Sequence, residues 1–146
     1  MNQLCVITGV AGALGRALAA AFIESGYKVF GIDLVESFNI DNIEYYCADL
    51  DRIVYDTAEK ETLLKTINIW KGESEIRVLI NNASGFFSTP IETATREQWS
   101  SLLDTNVTVP LFLIQALKPM LESSNGCVIN ISDSEVSSGI PQYSLY

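Results

Sequence analysis

Thr8-Gly9-Val10-Ala11-Gly12-Ala13-Leu14-Gly15 joins an uncharged, β-branched run to a segment with helical periodicity. Residues 4–8, before the turn, carry no charge and read as a strand buried on both faces. After it, Leu14, Leu18 and Phe22 recur every four residues until Gly26 stops the helix. Gly9 lets the backbone turn sharply, and Gly12 or Ala13 lets it come close to a pyrophosphate. Gly15 lets the helix pack on the strand, and the free N–H groups of the helix start face the phosphates. Strand, small-residue turn and helix are the context that a dinucleotide fingerprint requires. The same kind of turn also joins strands to helices where no ligand binds. No Gly-Lys-Ser/Thr follows, so an NTPase phosphate loop is excluded.

Working outward, residues 27–32 form a second strand that ends at Asp33, 24 residues beyond Gly9. A carboxylate there accepts hydrogen bonds from an adenosine ribose and repels a 2′-phosphate, which favours NAD over NADP. No Lys or Arg lies within the glycine turn, and Leu34 follows Asp33. Residues 43–47 read as a third strand leading to Asp49-Leu50, and residues 57–70 as a helix with Leu63, Leu64, Ile67 and Trp70 on one side. Residues 76–80 are a fourth strand, running into Asn81-Asn82-Ala83-Ser84-Gly85. From about residue 95 to 122 the pattern is one or two long helices, apolar nearly all round in the middle and therefore expected deep in the structure, with Pro110 a kink or a boundary. Residues 126–131 are a fifth strand, and the rest to Tyr146 is loop. Strands alternating with helices predict an α/β, doubly wound parallel sheet.

The length, 146 residues, suits one domain. A formal charge of −9 repels nucleic acid and anionic membranes, leaving a small molecule as the expected partner. Cys5, Cys47 and Cys127 are odd in number and far apart, which predicts reduced, mostly buried thiols and no zinc site. The absence of His removes the commonest base and metal ligand. No metal is expected. The start has no basic n-region and no apolar run reaches membrane-spanning length, so the expectation is a soluble, cytoplasmic protein.

At this point the sequence resembles the short-chain dehydrogenase/reductase family. Thr8-Gly9-x-x-x-Ala13-x-Gly15 is similar to its Thr-Gly-x-x-x-Gly-x-Gly turn, with Ala13 at the middle glycine. Asp49-Leu50 resembles the pair that borders the adenine ring. Asn81-Asn82-Ala83-Ser84 resembles its Asn-Asn-Ala-Gly motif, with Ser84 replacing Gly. Asn106 matches the family's helix Asn, and Val128-Ile129-Asn130-Ile131-Ser132 the strand that leads to the catalytic Ser. The resemblance implies a Rossmann fold in the order 3-2-1-4-5, truncated after about five strands, with NAD across the carboxyl ends of the strands. It implies cofactor binding by Gly9, Gly12, Ala13, Leu14, Gly15, Asp33, Leu34, Asp49, Leu50, Asn82, Ala83 and Ser84. It also implies a homo-oligomer, and further strands and a substrate-pocket segment after residue 146.

In the family a Tyr transfers the proton on the substrate oxygen, a Ser thirteen residues earlier hydrogen-bonds that oxygen, and a Lys four residues after the Tyr lowers its pKa. A phenol that ionises near 10 needs such a cation to work at neutral pH. Tyr143 and Tyr146 compete for the role. Pro141, five residues before Tyr146, matches the family's spacing and selects Tyr146. Position 133 is then Asp, as in the pteridine-reductase branch, where a carboxylate takes the Ser role. A shift of loop register would give the role instead to Ser132 or Ser134. The resemblance therefore implies proton chemistry carried by Asn106, Ser132 or Asp133, and Tyr146. The Lys would be residue 150, beyond this sequence.

Two functions are open at this stage. One is an NAD-dependent oxidoreductase acting between carbonyl and alcohol, inactive as these residues alone. The other is a non-catalytic dinucleotide-binding module or pseudoenzyme remnant, for which Ala13, Asp133 and the Lys position speak.

Overall fold

In β1, Gln3–Thr8, successive side chains point to opposite faces of the sheet. Leu4 and Val6 enter one core with Phe30, Ile32 and Leu79, while Cys5 and Ile7 enter a second with Val29, Val78 and Ile80. This arrangement comes from a computed structural model, which describes residues 3–36, 40–134 and 138–146. Residues 1, 2, 37–39 and 135–137 lie outside the described residues.

The other strands are β2 (Lys28–Asp33), β3 (Ile43–Cys47), β4 (Glu75–Asn81) and β5 (Cys127–Asn130). All neighbours run parallel, in the order β3-β2-β1-β4-β5, as expected. The helices are α1 (Ala13–Glu24), α2 (Leu50–Tyr55), α3 (Thr57–Lys71), α4 (Arg96–Leu103) and α5 (Val109–Ser123). The core behind Leu4 and Val6 is closed by α2, α3 and α5 through Ile53, Leu63, Ile67, Leu113 and Leu117. The core behind Cys5 and Ile7 is closed by α1 through Ala19, Leu18 and Phe22. Helices on both faces make the sheet doubly wound.

Several details differ from the sequence reading. Helix α2 was not expected. Asp49 caps it by accepting from the Asp51 N–H at 3.0 Å, and Leu50 and Ile53 bury its inner face. The long helical segment takes one of the two expected forms, two helices joined by a π-helical turn, Asp104–Thr108, with Pro110 marking the boundary at the start of α5. α5 is not buried all round. Val109, Leu113, Leu117 and Leu121 face the core, while Val107, just before it, and Leu111 and Phe112 are exposed. β5 is shorter than expected: its ladder with β4 runs only from Cys127 to Asn130, and Gly126 belongs to the turn after α5, where its N–H donates to Leu121 O at 2.7 Å. Ile131 still donates its N–H to Asn81 O, but Cys127, Ile129 and Asn130 are exposed. Only Cys5 is a buried thiol; Cys47, the last residue of β3, and Cys127, the first of β5, are exposed on the two edge strands of the sheet. No described helix is long and apolar enough to cross a membrane.

Candidate active site

The glycine turn leaves β1 at the carboxyl edge of the sheet. Gly9 has φ 65°, a left-handed conformation that glycine adopts freely, and a Cβ there would come within 2.8 Å of Ala83 Cα. A Cβ on Gly15 would land on the Gly9 carbonyl oxygen, so α1 can pack this close only with glycine. Gly12 is the N-cap of α1, exposed and with no side chain to cap the leading N–H groups, which therefore open outward. Ala13 and Leu14 follow on the same rim.

Thr8 and Asn82 staple this turn to the end of β4. Thr8 Oγ1 accepts from the N–H groups of Asn82 and Ala83, both at 3.0 Å, and Asn82 Nδ2 donates to Thr8 O and Gly9 O, also at 3.0 Å. Asn82 thus shapes the turn with its amide. The motif alone gives Thr8 no role of its own, yet its buried hydroxyl is the hub of the staple. A hydroxyl at the last position of a buried strand was the available signal.

In front of the turn lies a cleft of about 610 Å³. Every residue expected to bind cofactor lines it: Gly9, Gly12, Ala13, Leu14, Gly15, Asp33, Leu34, Asp49, Leu50, Asn82, Ala83 and Ser84. Leu14 is there rather than in the core, half exposed, so the four-residue repeat that marked the helix face overstated its burial. Asp33 Oδ2 accepts from the Ala11 N–H at 2.9 Å and Oδ1 from the Leu34 N–H at 2.7 Å, which fixes the carboxylate at the rim. Arg16, just past the turn, donates Nε to Ala11 O at 2.8 Å and does not line the cleft. Asp51 and Thr105, not anticipated, close the far wall, Thr105 Oγ1 donating to the Asp51 carboxylate at 3.2 Å.

A second cleft, about 520 Å³, shares Ala83, Ser84 and Ile131 with the first. It is lined by Asn106, Ser132, Asp133 and Tyr146, with Trp99, Leu103, Leu111 and Leu145 among its apolar walls. The Tyr146 hydroxyl donates to Asp133 Oδ2 at 3.1 Å. Burial, then the hydrogen bond and the charge of Asp133, push the Tyr146 phenol above its ordinary value. Asn106 sits in the π-helical turn and clamps a backbone: Oδ1 accepts from Gly85 N at 2.8 Å and Nδ2 donates to Gly85 O at 3.0 Å.

Tyr146 is held by contacts that no sequence pattern marks. Thr89, fully buried, donates its N–H to Gln142 O at 2.7 Å, while its carbonyl accepts from Ser144 N at 3.1 Å and Ser144 Oγ at 2.6 Å. Thr89 Oγ1 accepts from Leu145 N at 3.2 Å. Phe86 stacks on Tyr143 with ring centroids 4.6 Å apart and meets Tyr146 edge-on at 4.9 Å. The competing tyrosine is therefore part of the support for Tyr146.

The family model described as short chain dehydrogenase matches residues 3–146. The chain belongs to the short chain dehydrogenase family. This is a family of oxidoreductases. A short chain dehydrogenase/reductase of Gibberella zeae is 32% identical over 94% of this chain and 54% of its own length. Serine 3-dehydrogenase of Agrobacterium fabrum is 28% identical over 90% of this chain and 54% of its own. D-threitol dehydrogenase of Mycolicibacterium smegmatis is 26% identical over 99% and 58%. The chain spans little more than half the length of these curated relatives. Among solved structures, an apo SCOR enzyme from Clostridium thermocellum superposes with a TM-score of 0.86 at 22% identity, over 100% of this chain and 60% of the other, which supports the short chain dehydrogenase fold.

Proposed function

We propose that the larger cleft binds a nicotinamide dinucleotide, NAD in preference to NADP, and that the short chain dehydrogenase to which these residues belong interconverts a carbonyl and an alcohol. The observation that carries this reading is the uncapped start of α1 at Gly12, open on a cleft beside which the carboxylate of Asp33 is fixed on the Ala11 N–H. Backbone N–H groups at a helix start hold phosphate oxygens, and a carboxylate at the end of the second strand holds a ribose diol. The residues fit the group: glycines stand where a Cβ would obstruct the turn, and Leu34, Asp49 and Leu50 wall the adenosine side. When bound, the dinucleotide supplies a hydride donor or acceptor.

The chain's own residues act on the proton. The Tyr146 hydroxyl stands in the adjoining cleft as the group that gives a proton to the substrate oxygen or takes one from it. Asp133, at the position the resemblance gives to a Ser, accepts from that hydroxyl and holds it in one orientation. Ser132 lines the same cleft but is exposed. Asn106 acts as a positioning residue, because its side-chain amide is occupied on Gly85. Burial and the Asp133 contact, which raise the phenol, favour its protonated form, the form that can donate to a carbonyl oxygen. The same raised phenol favours, as a second reading, a module that binds the dinucleotide without turnover.

The substitution Gly12→Asp separates fold from function. A Cβ at Gly12 meets the Gly9 carbonyl oxygen at 3.4 Å, an ordinary contact, and Asp is a good N-cap, so the fold tolerates it. Its carboxylate would occupy the phosphate seat. Calorimetric titration should show NADH binding to the wild type and its loss, by about 100-fold or more, in Gly12→Asp with an unchanged melt. Equal binding by both proteins would refute the site.

A further inference from the structure

Strand pairing between β2 and β3 ends at Asp33 opposite Cys47, yet the chain beyond Asp33 is not loose. Three successive carbonyls stay tied to β3 and its continuation. Asp33 O accepts from the Ala48 N–H at 2.9 Å. Leu34 O accepts from the Cys47 thiol at 3.6 Å. Val35 O accepts from the Tyr45 hydroxyl at 2.5 Å, and the same hydroxyl lies 3.2 Å from Asp33 O. Where the backbone ladder stops, side chains of β3 carry it on for two more residues. Tyr45 reaches this far because its ring lies on the α1 face of the sheet beside β2, packed against the core of Val10, Val29 and Ile7.

What Tyr45 and Cys47 hold is the adenosine wall of the cleft. Asp33, Leu34 and Val35 all line it, and Leu34 and Val35 are exposed there with little packing of their own. A carboxylate selects between a 2′-hydroxyl and a 2′-phosphate only if it cannot swing aside, and its position depends on the backbone that carries it. We infer that Tyr45 is a positioning residue for dinucleotide selectivity: its hydroxyl fixes the Asp33–Leu34–Val35 backbone and so enforces the preference for a free ribose. This rests on the reading of the cleft given above. Burial first, then the charge of Asp33 and Cys47, push the Tyr45 phenol up to about 12, so it remains a donor throughout the neutral range.

Tyr45→Phe keeps the ring and removes only the hydrogen bond. The full chain and this variant are titrated with NADH, NADPH, AMP and nicotinamide mononucleotide. The expected result is an NADH and AMP affinity lower by about 3- to 10-fold, the worth of one hydrogen bond, with nicotinamide mononucleotide unaffected. NADPH should lose less than NADH, so that the NADPH-to-NADH ratio of dissociation constants falls. A purely structural role would weaken all four ligands alike and leave that ratio unchanged, and this result would overturn the inference. So would wild-type affinities for all four in the variant; in both cases the cleft reading survives. If the wild type binds neither NADH nor AMP, the cleft reading fails and the inference with it.

Discussion

The Tyr146 hydroxyl donates to Asp133 Oδ2 across 3.1 Å, and the two residues stand thirteen apart in the chain. Of Asp133, Ser132 and Ser134, the sequence's alternatives for the Ser position, the Tyr146 hydroxyl meets Asp133. The pairing also gives a sign. A carboxylate accepting from a phenol stabilises the protonated phenol, so Asp133 adds to the upward push of burial. Asp133→Asn should therefore lower the Tyr146 pKa. Phenolate absorbance during alkaline titration, with Tyr146→Phe identifying the residue among six tyrosines, reads this directly. Superimposable titrations of wild type and Asp133→Asn would show that the contact does not form in solution.

Asp33→Ala should narrow the gap between NADH and NADPH. Loss of a charge-assisted hydrogen bond weakens NADH by about 10-fold or more, and loss of the repulsion strengthens NADPH. Calorimetry on the two proteins measures both. A wild type that binds NADPH the more tightly would count against Asp33 as the selector.

Thr8→Val should destabilise the fold by about 2–4 kcal/mol, because it leaves the N–H groups of Asn82 and Ala83 without their acceptor. Thr8→Ser keeps the oxygen and should cost about 1 kcal/mol or less. Urea unfolding ranks the three proteins. Equal losses from Val and Ser would mean that the methyl group, not the hydroxyl, matters.

Burial is the first cause that raises the Asp51 carboxyl above its ordinary value; the Thr105 hydrogen bond opposes it, and Asp49 and Asp104 reinforce it. A raised folded-state pKa means that the folded chain holds this proton more tightly than the unfolded one. The stabilisation is complete in acid and is lost as pH rises through the folded value. At neutral pH the ionised Asp51 therefore carries a penalty, which Asp51→Asn removes. Its melting temperature should rise at pH 7 by about 2–4 °C for each kcal/mol relieved, and the gain should vanish in acid. A gain that persists unchanged at low pH would point to a cause other than charge.

We further expect the 146-residue chain to self-associate through α5 and the β5 edge. Val107, Leu111, Phe112, Ile129 and Ile131 are all exposed, and burying each large apolar side chain gains about 1.5–3 kcal/mol. Sedimentation should show concentration-dependent association that Leu111→Glu weakens. A monomer at all concentrations would oppose it.

The strands and the glycine turn were legible because their signals are local. An uncharged β-branched run marks β1, and at Gly9 a left-handed φ combines with an approach to Ala83 that leaves no room for a Cβ. The rim of the larger cleft followed from those elements together with family motifs. Helix α2 was missed because six residues offer barely two turns of periodicity, although Asp49 before Leu50 and Ile53 was a cap in plain view. The Thr89 zipper and the Tyr45 tie were illegible for a different reason. Thr89 meets Leu145 across 56 positions, and a hydroxyl has no periodicity to announce its partner. The exposure of Cys47 and Cys127 was misjudged since burial of a thiol depends on how many neighbours its strand has, which composition does not reveal.

The most direct test of the dinucleotide cleft is an amide chemical-shift map of the chain titrated with NAD. The account predicts perturbations concentrated at Gly12–Gly15, Asp33–Val35, Ala48–Asp51 and Asn82–Ser84, the backbone that lines the cleft. Saturating NAD that moves none of these amides, or moves instead those around Lys28, Ile43 and Trp70 at the opposite end of the sheet, would contradict it.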